Sequence, residues 1–190
     1  MLRGILGGTF DPPHLAHLVA GEAAYRELGL DVVTLLPAGR PWQKAGLAVS
    51  GAGHRWAMTR RAVEGIGYFE ADDREVTRDG WTYTADTLGT FPEEEELVLI
   101  LGADAAAGLP SWQRPEVVLR RARLAVMGRP GVERAAVEAA AGEVHWLRAP
   151  LLDISGTQLR ARRRAGLSIR FLVPDLVLDY IESAGLYTDG

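Results

Sequence analysis

Apolar residues fall into two rhythms along this chain. Short continuous runs at Leu2 to Leu6, Val32 to Leu36, Leu97 to Leu101, Leu124 to Met127 and Val144 to Leu147 have the length of buried strands. Gly7-Gly8 closes the first and Pro37 stops the second. Between the runs, apolar residues three or four apart predict helices. The clearest is Leu15 to Leu28, with Leu15, Leu18, Val19, Ala23 and Leu28 on one side. Others are predicted over Arg55 to Ile66, Tyr83 to Phe91, Pro115 to Arg121 and Arg134 to Ala141, and Gly156 to Arg164 and Pro174 to Ala184 close the chain. Strands alternating with helices imply βαβ units, hence an α/β fold built on a doubly wound parallel sheet. No repeat or linker interrupts the pattern, so residues 1–190 are expected to form one domain whose part from about 155 to 190 is helical. The acidic stretch Glu93 to Glu96 and the arginines Arg162 to Arg164 are expected to be solvated.

Composition narrows the class. Hydrophobic residues make up 47% and charged residues 24%, which excludes disordered and fibrous chains. The 21 basic and 25 acidic residues leave a formal charge of -4, so a global basic field for nucleic acid is absent. Without cysteine there is no disulfide, thiolate zinc site or cysteine nucleophile. No apolar run approaches the roughly 20 residues of a membrane span, and the N-terminus does not read as a signal peptide. A soluble, cytoplasmic protein without a membrane or nucleic-acid partner is expected. Lys44 is the only lysine in a chain whose other basic residues are arginine.

The strongest chemical signal is Gly7-Gly8-Thr9-Phe10-Asp11-Pro12-Pro13-His14-Leu15-Ala16-His17. Glycines at a strand end let the backbone approach a ligand, and the helix predicted to start near Pro13 favours an anion at its N-terminus. His14 and His17, three apart, share a helix face in the first turn. There they can donate hydrogen bonds to phosphoryl oxygens. A metal pair would need a third ligand that this spacing does not offer, so no metal ligand is named. The loop is neither a Walker loop nor a dinucleotide fingerprint. A second signal, Asp153-Ile154-Ser155-Gly156-Thr157-Gln158-Leu159-Arg160, puts an N-cap serine, a threonine and, one turn on, an arginine at one helix start. His54 and His145 lack such settings and read as structural.

Together the two motifs resemble those of the nucleotidyltransferase superfamily: Gly-x-Phe-x-Pro-x-His-x-x-His near the N-terminus and Ile-Ser-x-Thr-x-x-Arg near the C-terminus. The stretches between narrow the likeness. Leu36-Pro37 with Pro41-Trp42-Gln43-Lys44, Tyr83 to Leu88, Gly102-Ala103-Asp104, Leu109 to Trp112, Arg129-Pro130-Gly131 and Val173 to Tyr187 are similar, in order, to bacterial nicotinate mononucleotide adenylyltransferases. Ala16, Gly156, Gln43 and Gln113 depart from that pattern, which commonly has Gly, Ser, His and an aromatic there.

The resemblance implies a Rossmann-like nucleotidyltransferase fold and two small-molecule substrates, ATP and nicotinate mononucleotide, giving deamido-NAD and pyrophosphate. It implies that His14 and His17 stabilise the α-phosphate and that Lys44 and Arg160 hold the β- and γ-phosphates. Gly7, Gly8, Thr9, Phe10, Ile154, Ser155 and Thr157 would line the ATP site, with Gly102 and Asp104 beside ribose or phosphate. Tyr83, Thr84 and Trp112 would meet the pyridine ring and its acid, and Arg129 the acceptor phosphate. Mg²⁺ would arrive with ATP. A related transferase using nicotinamide mononucleotide or phosphopantetheine stays open, as does a catalytically silent nucleotide-binding module.

Overall fold

Six parallel strands form the sheet of the computed structural model, which describes residues 1–41, 46 and 48–188. They are β1 (Leu2–Gly8), β2 (Val32–Pro37), β3 (Phe69–Ala71), β4 (Glu96–Gly102), β5 (Ala122–Met127) and β6 (His145–Leu147), in the order β3-β2-β1-β4-β5-β6. The helices are α1 (Leu15–Leu28), α2 (Ala52–Val63), α3 (Thr84–Leu88), α4 (Ala103–Ala107), α5 (Pro115–Arg121), α6 (Arg134–Ala141), α7 (Gly156–Arg164) and α8 (Asp175–Ser183). The doubly wound parallel sheet expected from the apolar rhythm is therefore present.

Both faces of the central strands are buried, which explains why they read as continuous runs rather than alternations. Ile5, Leu97, Leu99 and Leu101 face one side, with α3, α4, α5 and α6. Leu6, Val33, Leu35, Val98 and Ile100 face the other, with Ala20 and Ala24 of α1. A third cluster joins Met58 and Ala62 of α2 to Leu159 of α7 and to Val177, Leu178 and Ile181 of α8, so the C-terminal helices dock on α2.

Several expectations change. Three-residue β3 and five-residue α4 carry too little pattern to be legible beforehand. The helix predicted over 83–91 ends at Leu88, where Gly89 follows, and the one over 55–66 runs from Ala52 to Val63. Glu95 is not solvated: it takes the Arg3 guanidinium at 2.8 Å, under the sheet's starting edge.

The strand order reverses direction between β1 and β4. Parallel sheets leave a crevice at the carboxyl ends on either side of such a reversal. Gly7-Gly8 and Gly102 lie there, and they release the chain into the segments that carry the candidate residues.

Candidate active site

The histidines come together through the start of α1, though not as expected. The helix begins at Leu15, and His14 is its extended N-cap, with φ -145° and ψ 171°. From there its ring stacks on that of His17, with centroids 3.7 Å apart at 25°. The backbone N–H of His14 donates to His17 Nδ1 at 3.1 Å, so a neutral His17 carries its proton on Nε2. The edge of Phe10 fixes the other side of that ring, 4.9 Å away.

Electrostatics keep both rings neutral. Burial, aided by the Arg129 guanidinium, pulls His14 down to about 4. Burial and the neighbouring His14 hold His17 well below the usual imidazole value, although part of its surface opens onto the cavities. His14 Nδ1 is buried with no hydrogen-bond partner among the described residues.

This predicts a pH effect. An unfolded chain protonates His14 near 6.5, the folded protein only near 4. Between these values the unfolded state binds more protons, so stability falls as pH drops through that window. His14→Asn is expected to flatten the fall; urea midpoints at pH 7 and pH 5 measure it.

Three hollows adjoin at this edge. The first, about 270 Å³, sits over the β1–β4 reversal and brings Gly7, His14, His17, Gly102, Arg129, Ile154 and Ser155 together. The second, about 480 Å³, adds Thr9, Phe10, Thr157, Arg160 and Arg164, and shares both histidines and Ser155. The third, about 230 Å³, is lined by Gly7, Gly8, Thr9, Thr84 and Trp112. Arg129 thus stands with the histidines and not with Trp112. At the rim it holds Asp104 at 2.6 Å. Tyr83 is the N-cap of α3, immediately before Thr84. Lys44 lies outside the described residues. A wider hollow, about 870 Å³, opens at the amino ends of β4 and β5 and contains none of the candidate residues. Doubly wound sheets bind ligands at the opposite edge, so the site is placed at the three smaller hollows.

His54 and His145 stay away from all three site hollows: His54 pairs with Tyr180 at 2.9 Å, and His145 with Glu27 at 3.0 Å. Arg162 and Arg164 are exposed, as expected of a solvated face, with Arg164 at the rim of the second hollow; Arg163 departs from it, half-buried and paired with Glu182 at 3.8 Å.

Sequence reading missed the frame beneath the site. Asp11, 4% exposed, accepts the Tyr187 hydroxyl at 2.6 Å and the Ser50 N–H at 3.1 Å. Its carbonyl oxygen takes Arg160 Nη1 at 2.7 Å. Arg55, 2% exposed, bonds the carbonyls of Thr9, Ala38, Gly39 and Ser50. One aspartate therefore aims Arg160 while tying the C-terminus to the glycine loop. Only the buried charge pattern of the folded chain reveals it.

The frame explains one departure. A Cβ at Gly156 would stand 2.8 Å from the Asp11 carbonyl and 3.2 Å from Arg160 Nη1. Gly156→Ser restores the residue common in the resembling family, yet here it is expected to destabilise the protein by about 1–3 kcal/mol, as overpacking does. It should also lower kcat/KM for ATP; denaturation midpoints and ATP titrations check both effects.

A parallel sheet reversing between its first and fourth strands, with neutral imidazoles and a guanidinium at that reversal, defines a nucleotide-binding α/β protein equipped for phosphoryl chemistry. Residues 5–162 match the cytidylyltransferase-like family. A protein of Salinibacter ruber named as a probable nicotinate-nucleotide adenylyltransferase is 41% identical over 98% of both chains. One of Saccharopolyspora erythraea with the same name is 40% identical, covering 97% of this chain and 88% of that one. In shape the chain is similar to the nicotinic acid mononucleotide adenylyltransferase of Plasmodium falciparum complexed with NaAD. That likeness has a TM-score of 0.82 at 19% identity, over 97% of this chain and 96% of the other. The chain belongs to the cytidylyltransferase-like family and, within it, to the nicotinate-nucleotide adenylyltransferases.

Proposed function

We propose that the protein transfers the adenylyl group of ATP to nicotinate mononucleotide, giving deamido-NAD and pyrophosphate in NAD biosynthesis. The observation that carries the site assignment is the stacked, neutral His14–His17 pair at the strand reversal, with the His17 proton on Nε2. The full-length relatives support the choice of reaction.

The acceptor phosphate is already an anion near neutral pH, so it needs no general base. Its oxygen bonds to the α-phosphorus of ATP as the bond to pyrophosphate breaks. Catalysis is positioning and charge stabilisation. His14 and His17 donate to the α-phosphate oxygens as charge builds. Arg160, aimed by the Asp11 carbonyl, holds the phosphates that leave, and Lys44 is assigned to the same end. Gly7, Gly8, Thr9, Phe10, Ile154, Ser155 and Thr157 form the wall around ATP, and Gly102 and Asp104 lie towards ribose or phosphate. Thr84 and Trp112, with Tyr83 beside them, receive the pyridine ring. Arg129, beside His14, meets the acceptor phosphate where it approaches the α-phosphorus.

Mg²⁺ supplies charge neutralisation on the triphosphate. Among the described residues no group of three or more histidines or acids could hold a metal. The Asp104 and Asp11 carboxylates are already bonded within the chain, which fits a cation held by phosphate oxygens and water. We assign it no ligand from this chain. No helix among the described residues is long and apolar enough to cross a membrane.

Pyrophosphate release from ATP, followed against nicotinate mononucleotide, nicotinamide mononucleotide and phosphopantetheine, tests the assignment. The acid mononucleotide is expected to react fastest. Faster turnover of either other acceptor overturns it, and no release with any acceptor would favour a silent binding module.

A further inference from the structure

A carboxyl group stands in the wall of the acceptor hollow, and the reaction gives it no task. Glu75, 9% exposed, precedes α3 and lines the same hollow as Thr84 and Trp112. Its Oε1 accepts the Thr87 hydroxyl at 2.6 Å, and that hydroxyl in turn receives Arg78 Nη1 at 3.4 Å. The Glu75 carbonyl oxygen lies 1.9 Å from where a Cβ on Gly39 would stand, so the strand-ending loop presses on its backbone. The backbone is thus fixed at this point, and the Thr87 hydroxyl anchors the side chain.

The charges around it are few. Arg78 and Arg74, both in its own loop, act on it. Arg74 is committed to Asp72 at 2.6 Å and lies over the Phe91 ring. On α3, Asp86 pairs with Arg114, while Thr84 and Thr87 are neutral. From the loop after β2, Arg40 lies over Trp81, and Ala38 and Pro41 carry no charge. Trp112 lines the hollow and carries no charge. Among the described residues the carboxylate is held by the Thr87 and Thr82 hydroxyls and balanced by Arg78 and, more weakly, by Arg74. Burial pushes the Glu75 carboxyl up from its ordinary value.

We propose that Glu75 couples binding of the acid acceptor to the uptake of one proton, taken from solvent as the acceptor's carboxylate enters the hollow. This rests on nicotinate mononucleotide being the acceptor. Two carboxylates in one poorly solvated wall disfavour each other's ionised forms. Protonation removes that repulsion and converts Glu75 from an acceptor into a donor. The acid then binds together with one proton, and the amide binds without one. The sign follows from linkage: binding coupled to proton uptake weakens as pH rises, by up to about tenfold per unit.

The two mononucleotides carry the same phosphate, so a difference between them isolates the ring substituent. Titration calorimetry of each into the wild-type protein, in buffers of differing ionisation enthalpy, counts protons. The acid is expected to take up about one proton more than the amide. In Glu75→Gln that excess should vanish, and KM for the acid should lose its rise with pH while kcat changes little. Equal proton counts in the wild-type protein overturn the proposal, even where the variant fails to fold. An excess that persists in Glu75→Gln overturns it too. An acid that reacts without the excess removes only the role of Glu75; an acid that neither binds nor reacts removes the acceptor assignment as well.

Discussion

His17→Ala is expected to lower kcat by a factor on the order of 10²–10³, the usual loss when one donor to a developing oxyanion is removed. His17 is oriented on three sides: His14 stacks on it at 3.7 Å, Phe10 meets it edge-on, and the His14 N–H occupies its Nδ1. One proton remains, on Nε2, and it faces no rotational choice. A neutral ring gives directed hydrogen bonding without the pull of a full charge, so its contribution grows with the charge that develops on the α-phosphate. The proposed ATP contacts are Arg160 and the loop amides, so KM for ATP should move only a few-fold. Steady-state kcat and KM, with single-turnover rates to exclude a slow product release, make the comparison. A variant retaining more than about a tenth of wild-type kcat would falsify this role.

Acid over amide is expected to be favoured by on the order of 10²-fold or more in kcat/KM. The first amides of any helix lack intrahelical partners, and those of Thr84 and Ala85 open α3 beside the hollow that Thr84 and Trp112 line. A carboxylate can accept from both. An amide offers a single oxygen and turns an NH₂ towards the remaining donor. Each donor left unpaired costs roughly 1–3 kcal/mol, and about 1.4 kcal/mol is a factor of ten. Because backbone groups select, Thr84→Ala should act weakly. Trp112 supplies stacking area to either ring, so Trp112→Ala should weaken both substrates without reversing the preference. Equal kcat/KM for the two mononucleotides, or a preference for the amide, would contradict this account.

Local pattern alone carried much of the architecture. Helices α1, α5, α6 and α7 span the residues that spacing gives them, because amphipathic periodicity and an N-cap such as Ser155 are properties of neighbouring residues. The strand runs were legible because a sheet covered on both faces demands unbroken apolar stretches. His14 and His17 were legible as a pair for the same reason: they are three residues apart.

What stayed hidden depends on residues far apart in sequence. Asp11 meets Tyr187 across 176 positions, and no local rule pairs them. Arg163 looked solvated because its neighbours are charged, yet docking of α8 beside α7 half-buries it against Glu182. Glu75 carries no local signal; its setting arises only where the turn through Gly39 and the start of α3 close around it. Arg129 was assigned to the acceptor by likeness alone; the register of β5 beside β4 carries the following loop to His14 and Asp104. Spacing along the chain determined five of the six strands, most of the helices and the histidine pair. Burial and long-range contact decided which charges face one another, because the cost of hiding a charge exists only once the fold has removed the water.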